Sequence, residues 1–421
     1  MYQKSKLKNG LRIILAPMKS TKTVTVLVMV GTGSKNENSK NRGISHFLEH
    51  MFFKGTEKRA TTLDISKELD KIGGVYNAFT GKEYTGFYAK VSSQHCDVAL
   101  DVISDMLLNS KFSEKEIKRE RRTILEELNM YLDSPMMQVP DLFENLLYKN
   151  QPLGYDEIGN KKTIMSVRRK DFLDYYKKYY LNNNIIITIA GNFNEQNIKN
   201  NIKKYFKSAN KNKTLQQAKT FDKQSKSRIL LEYKKTDQTH LCLGVRGYNT
   251  NHKDKHILAV LSVIFGGNMS SRLFISVRER NGLAYYIHTS ATDYKDVGYF
   301  SAQTGVNNEK CLEAIKIILN EFKKVKTEKI SIEEIKRAKD YLKGRTNITL
   351  ESSDAVASFV ANQEMDTGKI LTPQEKFAKI DTVTADDLQR VANDIFVNHK
   401  LNLALIGPFR NKKKFEKILS F

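Results

Sequence analysis

One short run combines residue types and spacing that could do chemistry: Gly43 to Thr56, GISHFLEHMFFKGT. Ile44, Phe47, Leu48, Met51 and Phe52 recur at helical spacing and build one apolar face, and His46, Glu49 and His50 occupy the other. Histidines four apart stack one turn above the next, so both imidazoles can reach a single Zn²⁺. The carboxylate between them can lie beside a water at that metal. The pattern is HxxEH, the zincin motif inverted. It also fits a polar helix face with two surface histidines.

A catalytic zinc site needs three protein ligands and an open position, so two histidines leave it one ligand short. The nearest supply is a helix expected from Ser113, where Ser113 and Glu116 read as a capping box and ERRTILEEL follows. Glu120 and Glu127 lie seven apart, two turns, and share a face, whereas Glu126 points elsewhere. The same acids would equally pair with Lys115, Lys118, Arg119, Arg121 and Arg122 on a solvated face.

Periodicity predicts the elements around these helices. In the first half, strands are expected at Leu11 to Ala16, Val24 to Val30, Val75 to Phe79, Tyr84 to Val91 and Asn184 to Ala190. Helices are expected at Ile44 to Phe53, Leu63 to Ile72, Gln94 to Leu108, Ser113 to Tyr131 and Arg168 to Tyr180. The stretch 208–227, rich in Lys, Gln, Asn and Ser, reads as a solvated linker. Beyond it the order recurs: strands at Arg228 to Tyr233, Leu241 to Val245, Ala284 to Thr292, Gly298 to Gly305 and Leu401 to Ile406. Helices fall at Asp254 to Ile264, Ser271 to Arg280, Glu309 to Lys324, Ile332 to Leu342, Ala355 to Asn362 and Asp386 to Phe396. The chain is read as α+β: two homologous α/β-sandwich halves, each a mixed or antiparallel sheet covered by helices, spanning 1–207 and 228–421.

Composition bounds the alternatives. The 421 residues are 40% hydrophobic, with 19 Tyr and 21 Phe, enough for real cores and too much for disorder. Seventy Lys plus Arg against 47 Asp plus Glu give a formal charge of +23. These cations are spread along the chain with no aromatic-interleaved motif, so no specific nucleic-acid partner is expected. Cys96, Cys242 and Cys311 lie far apart and are odd in number, which supports neither a disulfide framework nor a cysteine zinc knuckle and suits a reducing compartment. No apolar run is long enough to span a bilayer, and no signal or transit peptide is evident at the start, so a cytoplasmic location and no membrane partner are expected.

End to end, the chain resembles the pitrilysin/insulinase family of inverzincin metallopeptidases. Within that family it is most similar to the two-domain processing-peptidase-like subfamily, which includes the β subunit of mitochondrial processing peptidase and bacterial homologues. The resemblance is carried by GISHFLEHMFFKGT, IGGVYNAFTGKEYTGFYAKV, RERRTILEELNMYLDSP, QPLGYDEIGN and SRLFISVRERNGLAYYI. It implies one Zn²⁺ per chain held by His46, His50 and a glutamate 77 positions after the second histidine, which is Glu127 rather than Glu126. It implies Glu49 as the base that activates water, and Glu120 as a carboxylate that orients a ligand. Arg278 and Tyr285, in the half without HxxEH, are implied as donors to the oxyanion. Read without it, Arg278 could pair with Glu279 and Tyr285 could be a core strand aromatic. Asn77, Ala78 and Phe79 are implied to line a substrate-binding edge strand, although Asn77 also suits a hairpin turn.

The expected activity is thus a zinc endopeptidase: a clam-shell closing on peptides or unfolded, presequence-like segments, working as a homodimer or beside a family paralogue. The rival is a noncatalytic scaffold or partner subunit that binds extended peptides. The complete set of His46, Glu49, His50, Glu127, Arg278 and Tyr285 speaks against it.

Overall fold

The computed structural model describes residues 2–207 and 217–421, so the first part of the expected linker, 208–216, lies outside the described residues. In chain order the elements begin with β1 (Gln3–Lys6), β2 (Arg12–Pro17), β3 (Thr23–Val30), α1 (Ile44–Phe52), α2 (Thr62–Asp70), β4 (Val75–Thr80) and β5 (Thr85–Ser92). There follow α3 (Cys96–Asn109), α4 (Glu114–Asp133), α5 (Pro135–Leu147), α6 (Lys161–Ser166), α7 (Arg169–Tyr179), β6 (Ile185–Gly191) and α8 (Glu195–Tyr205). The later part opens with β7 (Arg228–Tyr233), β8 (Gln238–Arg246), α9 (Lys255–Gly266), β9 (Ala284–Asp293) and β10 (Gly298–Asn307). It closes with α10 (Cys311–Thr327), α11 (Ile332–Thr349), α12 (Ser353–Thr367), α13 (Pro373–Asp381), α14 (Ala385–Ile395), β11 (Leu401–Gly407) and α15 (Lys413–Glu416).

These elements form two compact units, each a sheet flanked by helices. The first comprises residues 1–129, 155–218 and 348–370; the second comprises 130–154, 219–347 and 371–421. Each unit therefore takes one helix from the opposite end of the sequence, α12 into the first and α5 into the second. The order of elements along the chain gives no sign of this exchange.

In the first unit the sheet order is β1-β2-β6-β3-β5-β4, with β2 and β6 parallel and the other pairs antiparallel. The central strands TVTVLVMV and IIITIAG are buried almost throughout, as β-branched runs covered on both faces must be. One face is sealed by α12, which packs Ala357, Val360, Ala361 and Met365 against Ile14, Leu27, Met29 and Ile186. Burying Val360 and Met365 contributes about 1.5–3 kcal/mol each. The helix is fixed by polar contacts too. Glu364, nearly buried, pairs with Lys4 at 2.6 Å and Arg12 at 3.1 Å, and Ser353 Oγ meets Thr25 Oγ1 at 2.8 Å. The other face carries an aromatic cluster in which Phe52 packs edge-on against Phe87 and Phe112.

The second unit repeats the plan as β7-β11-β8-β10-β9, with β7 and β11 parallel. Phe265, Phe300, Phe322 and Phe396 make its centre, with ring centroids 4.7 Å apart between Phe322 and Phe396. Helix α5 covers the opposite face through Val139, Phe143 and Leu147, in contact with Cys242, Tyr299 and Ile406. Residues 271–280, expected as an ordinary helix, instead contain a π-helical turn at Phe274–Glu279, with Arg280 N–H donating to Ile275 O at 2.9 Å. No helix among the described residues is long and apolar enough to cross a membrane.

Candidate metal centre

Helix α1 is held at its start with unusual firmness. Gly43 precedes it at φ +85°, and an added Cβ would stand 2.4 Å from Ile158 O. Gly159, also at φ +85°, approaches Gly43 from the other side, so the two glycines lock the EIGN turn of QPLGYDEIGN onto the helix N-terminus. Glu37, buried, accepts from the N–H groups of Gly43 at 2.7 Å and Ser45 at 2.9 Å, two of the donors a helix start leaves unpaired. Burial pushes its carboxyl up to about 7 against those hydrogen bonds. Ser45 Oγ and Thr32 Oγ1 both meet Tyr175 OH, at 2.8 and 2.9 Å.

The rotation of α4 is set independently. Ile117, Ile124 and Leu128 are buried, and Arg121 donates to the carbonyls of Ile164 at 3.0 Å and Val167 at 2.7 Å. This leaves Glu120 and Glu127 against α1, while Glu126 is exposed.

His46, His50 and Glu127 come together with one ligand atom from each lying within 4.8 Å of the others. His46 Nε2 is 3.5 Å from Glu127 Oε1, and His50 Nε2 is 3.5 Å from Glu127 Oε2. Charge-assisted hydrogen bonds are shorter, about 2.7–2.9 Å. A tetrahedral zinc with bonds of about 2.0–2.1 Å spaces its ligand atoms by about 3.3–3.4 Å. Each histidine stands 3.5 Å from a different oxygen of Glu127, longer than such a hydrogen bond and near a zinc ligand spacing, and two imidazoles with one carboxylate are a catalytic zinc donor set. The residues fit the ion. Burial would raise Glu127, but attraction from His46 and His50 outweighs it and holds the carboxylate below its ordinary value.

Behind the group, Glu120 Oε1 accepts from His50 Nδ1 at 2.9 Å, which turns Nε2 of that ring toward Glu127. Its other oxygen is 2.6 Å from Lys54 Nζ. Desolvation of Glu120 is more than offset by these two bonds, so its carboxyl stays below the usual range.

Glu49 is 8% exposed, and burial raises its carboxyl above the ordinary value, opposed by the Thr80 hydroxyl and by His46 and His50. Thr80 Oγ1 donates to Glu49 Oε2 from the end of β4, one of the two edge strands of its sheet. On that strand Asn77 is exposed, with its side-chain oxygen accepting from Ala78 N–H, and Ala78 and Phe79 are half-buried. Thr80 and Lys54 did not stand out in the sequence. Only their position relative to HxxEH could have flagged them, since neither type is itself diagnostic.

Arg278 and Tyr285 belong to the second unit. The π-helical turn sets the Arg278 guanidinium 4.7 Å above the Phe274 ring and 5.3 Å from that of Tyr285. Tyr285 is 78% exposed, so it is no core aromatic of β9, and Arg278 lies 3.7 Å from Glu279.

The sequence profile described as Insulinase (Peptidase family M16) matches residues 12–161, and that described as Peptidase M16 inactive domain matches 166–342. A Bacillus subtilis protein described as the uncharacterized zinc protease YmxG is 36% identical over 413 residues, covering 98% of this chain and 99% of its own length. The chain belongs to peptidase family M16. With its His–His–Glu group, this M16 member is an enzyme of the metalloprotease class. An uncharacterized zinc protease of Rickettsia felis is also 36% identical, over 96% of the chain and 97% of its own length. Among solved structures, a protease from Helicobacter pylori superposes with TM-score 0.91 at 26% identity, covering 97% of this chain and 99% of its own. A Pseudomonas fluorescens structure described as a peptidase M16 inactive domain shares the fold, with TM-score 0.89 at 16% identity, covering 98% of this chain and 99% of its own.

Proposed function

We propose that this M16 chain is a zinc endopeptidase that hydrolyses peptide bonds in extended peptides or unfolded, presequence-like segments. The observation that carries this is the convergence of His46, His50 and Glu127, with one ligand atom from each within 4.8 Å of the others, beside the buried carboxylate of Glu49. Zinc bound there would supply a Lewis acid that acidifies a water and polarises a carbonyl. Glu49, its basicity raised by burial, takes the proton of the attacking water and returns it to the leaving amine. Thr80 holds one oxygen of Glu49 and leaves the other to work. The edge strand β4 offers main-chain hydrogen bonds to an extended substrate, with Asn77, Ala78 and Phe79 beside it. That mode favours unfolded chains.

In this reading the half 1–207 carries the metal, the segment 208–227 joins the halves, and the half 228–421 closes like a clam-shell to bring Arg278 and Tyr285 to the developing oxyanion. The two-domain processing-peptidase-like subfamily supplies the substrate class. The active form is a homodimer or a pair with a paralogue. Buried, unbridged cysteines suit a reducing compartment, and we place the enzyme in the cytoplasm.

The test is to incubate the zinc-loaded chain with a mixture of unstructured peptides, with Glu49→Gln in parallel, and read products by mass spectrometry. Cleavage by the wild type alone supports the proposal. Zinc at one per chain with cleavage by neither would favour a scaffold that binds extended peptides.

A further inference from the structure

Building on the zinc reading of the His46–His50–Glu127 group, we infer that Lys54 is a positioning residue of the metal centre. Acting through Glu120, it limits how strongly His50 donates to the metal, and so keeps the ion electrophilic at the cost of affinity. No substrate or metal contact is required of Lys54 itself.

The chain of contacts is short. Lys54 Nζ lies 2.6 Å from Glu120 Oε2, and Glu120 Oε1 lies 2.9 Å from His50 Nδ1. The Glu120 side chain is 5% exposed, so water competes little for either oxygen. An ionised carboxylate only accepts, so the His50 proton sits on Nδ1 and the lone pair on Nε2, facing Glu127. A carboxylate with nothing on its second oxygen would pull hard on that proton and enrich Nε2 in electrons. One already bonded to an ammonium pulls less.

Charge points the same way. Glu49, Glu120 and Glu127 bring three negative charges to the centre, and a zinc ion would add two positive ones. Lys54 completes the balance at zero. Without it the centre keeps one net negative charge, which attracts a dication more strongly and dulls it once held.

Lys54 also follows the end of α1, its N–H donating to Met51 O at 3.2 Å, so a cation there could simply steady the helix terminus. The two roles predict opposite changes. A steadying residue, when lost, loosens the ligands and weakens zinc; a residue that restrains donation, when lost, tightens it.

The experiment compares wild type with Lys54→Met, which keeps the stem and removes the charge, and with Lys54→Arg and Lys54→Gln. Zinc affinity is measured by competition with a chromogenic chelator, Tm on the metal-free proteins, and kcat and KM on one peptide. Lys54→Met should bind zinc about threefold to tenfold more tightly. Its kcat should fall severalfold with KM within about twofold. Lys54→Arg should restore both values, and Lys54→Gln, able to donate a neutral hydrogen bond, should fall between. Equal or weaker zinc binding by Lys54→Met and Lys54→Gln would overturn the inference. A wild type that takes up no zinc would remove the metal centre itself, a different result from equal affinities in wild type and variants.

Discussion

The two sheets follow one plan, β2-β6-β3-β5-β4 in the first unit and β7-β11-β8-β10-β9 in the second, yet the helices after their central strands differ completely. Helix α1 buries Ile44, Phe47, Leu48, Met51 and Phe52 and turns His46 and His50 to its other side. Helix α9, KHILAVLSVIFG, is buried from Ile257 to Gly266 except at Ala259 and has no polar face to offer. The pair α4 and α11 is more telling. Residues 116–120 read EIKRE and 334–338 read EIKRA. Ile117 and Ile335 are buried in both, but Glu120 is matched by Ala338, and seven positions on Glu127 is matched by Arg345. The apolar positions survive because each helix must bury a face in its own unit. The positions that do chemistry are free to differ, and the profile described as an inactive domain, matched over 166–342, takes in both α9 and the EIKRA stretch of α11.

The contrast can be broken most sharply at Glu49. Glu49→Gln should lower kcat by about 10²–10⁴ while zinc stays at one per chain, measured by peptide cleavage and metal analysis. Loss of the metal instead would make Glu49 a ligand. Next is α4, where Glu127→Gln should weaken zinc by more than the ~10–100-fold that losing a partner behind a ligand costs. The exposed neighbour Glu126→Gln should leave binding unchanged, and the reverse pattern would mean the helix presents another face. If the second unit contributes chemistry after all, Tyr285→Phe should reduce kcat about tenfold to a hundredfold with KM steady. A raised KM with unchanged kcat would make Tyr285 a binding residue.

The smallest effect separates the starts of α1 and α9. Glu37 at the start of α1 is raised from 4.5 to about 7 by burial. The folded protein therefore binds that proton more tightly, and the stability linked to it is present below about 4.5 and lost as pH rises through about 7. Asp254, which precedes α9, is lowered by its hydrogen bonds to Arg390, so its contribution is lost instead on acidification below its ordinary value of 3.8. Between pH 5 and 8, wild type should lose on the order of 1–3 kcal/mol relative to Glu37→Gln in denaturant melts. Parallel pH curves for the two proteins would show that Glu37 does not titrate in this range.

How much of this was legible varies by element. Both sheets were, because strands such as TVTVLVMV and LNLALIG announce themselves by β-branched and aliphatic runs. Helix α5 was not, since Pro135 and Pro140 and four apolar or amide residues at its start disguise its period, and its burial partners Cys242, Tyr299 and Ile406 all lie far along the chain. The short strand β1 is exposed at every position and carries no pattern to read. At the centre, HxxEH was plain, and family resemblance singled out Glu127. Thr80 and Lys54 were invisible, because a threonine or a lysine acquires meaning only from the group it touches.

The sequence by itself determined the ligand types, the one-turn spacing of His46 and His50, and the two-turn spacing of Glu120 and Glu127, since helical periodicity is a local property of the chain. Family resemblance picked out Glu127 and Glu120, but only the tertiary structure decided how closely they approach the histidines and what else touches them. Those choices depend on how α1 and α4 are rotated against each other. The rotation is set by contacts between residues remote in sequence: Glu37 with Gly43 and Ser45, Gly43 with Gly159, and Arg121 with the carbonyls of Ile164 and Val167.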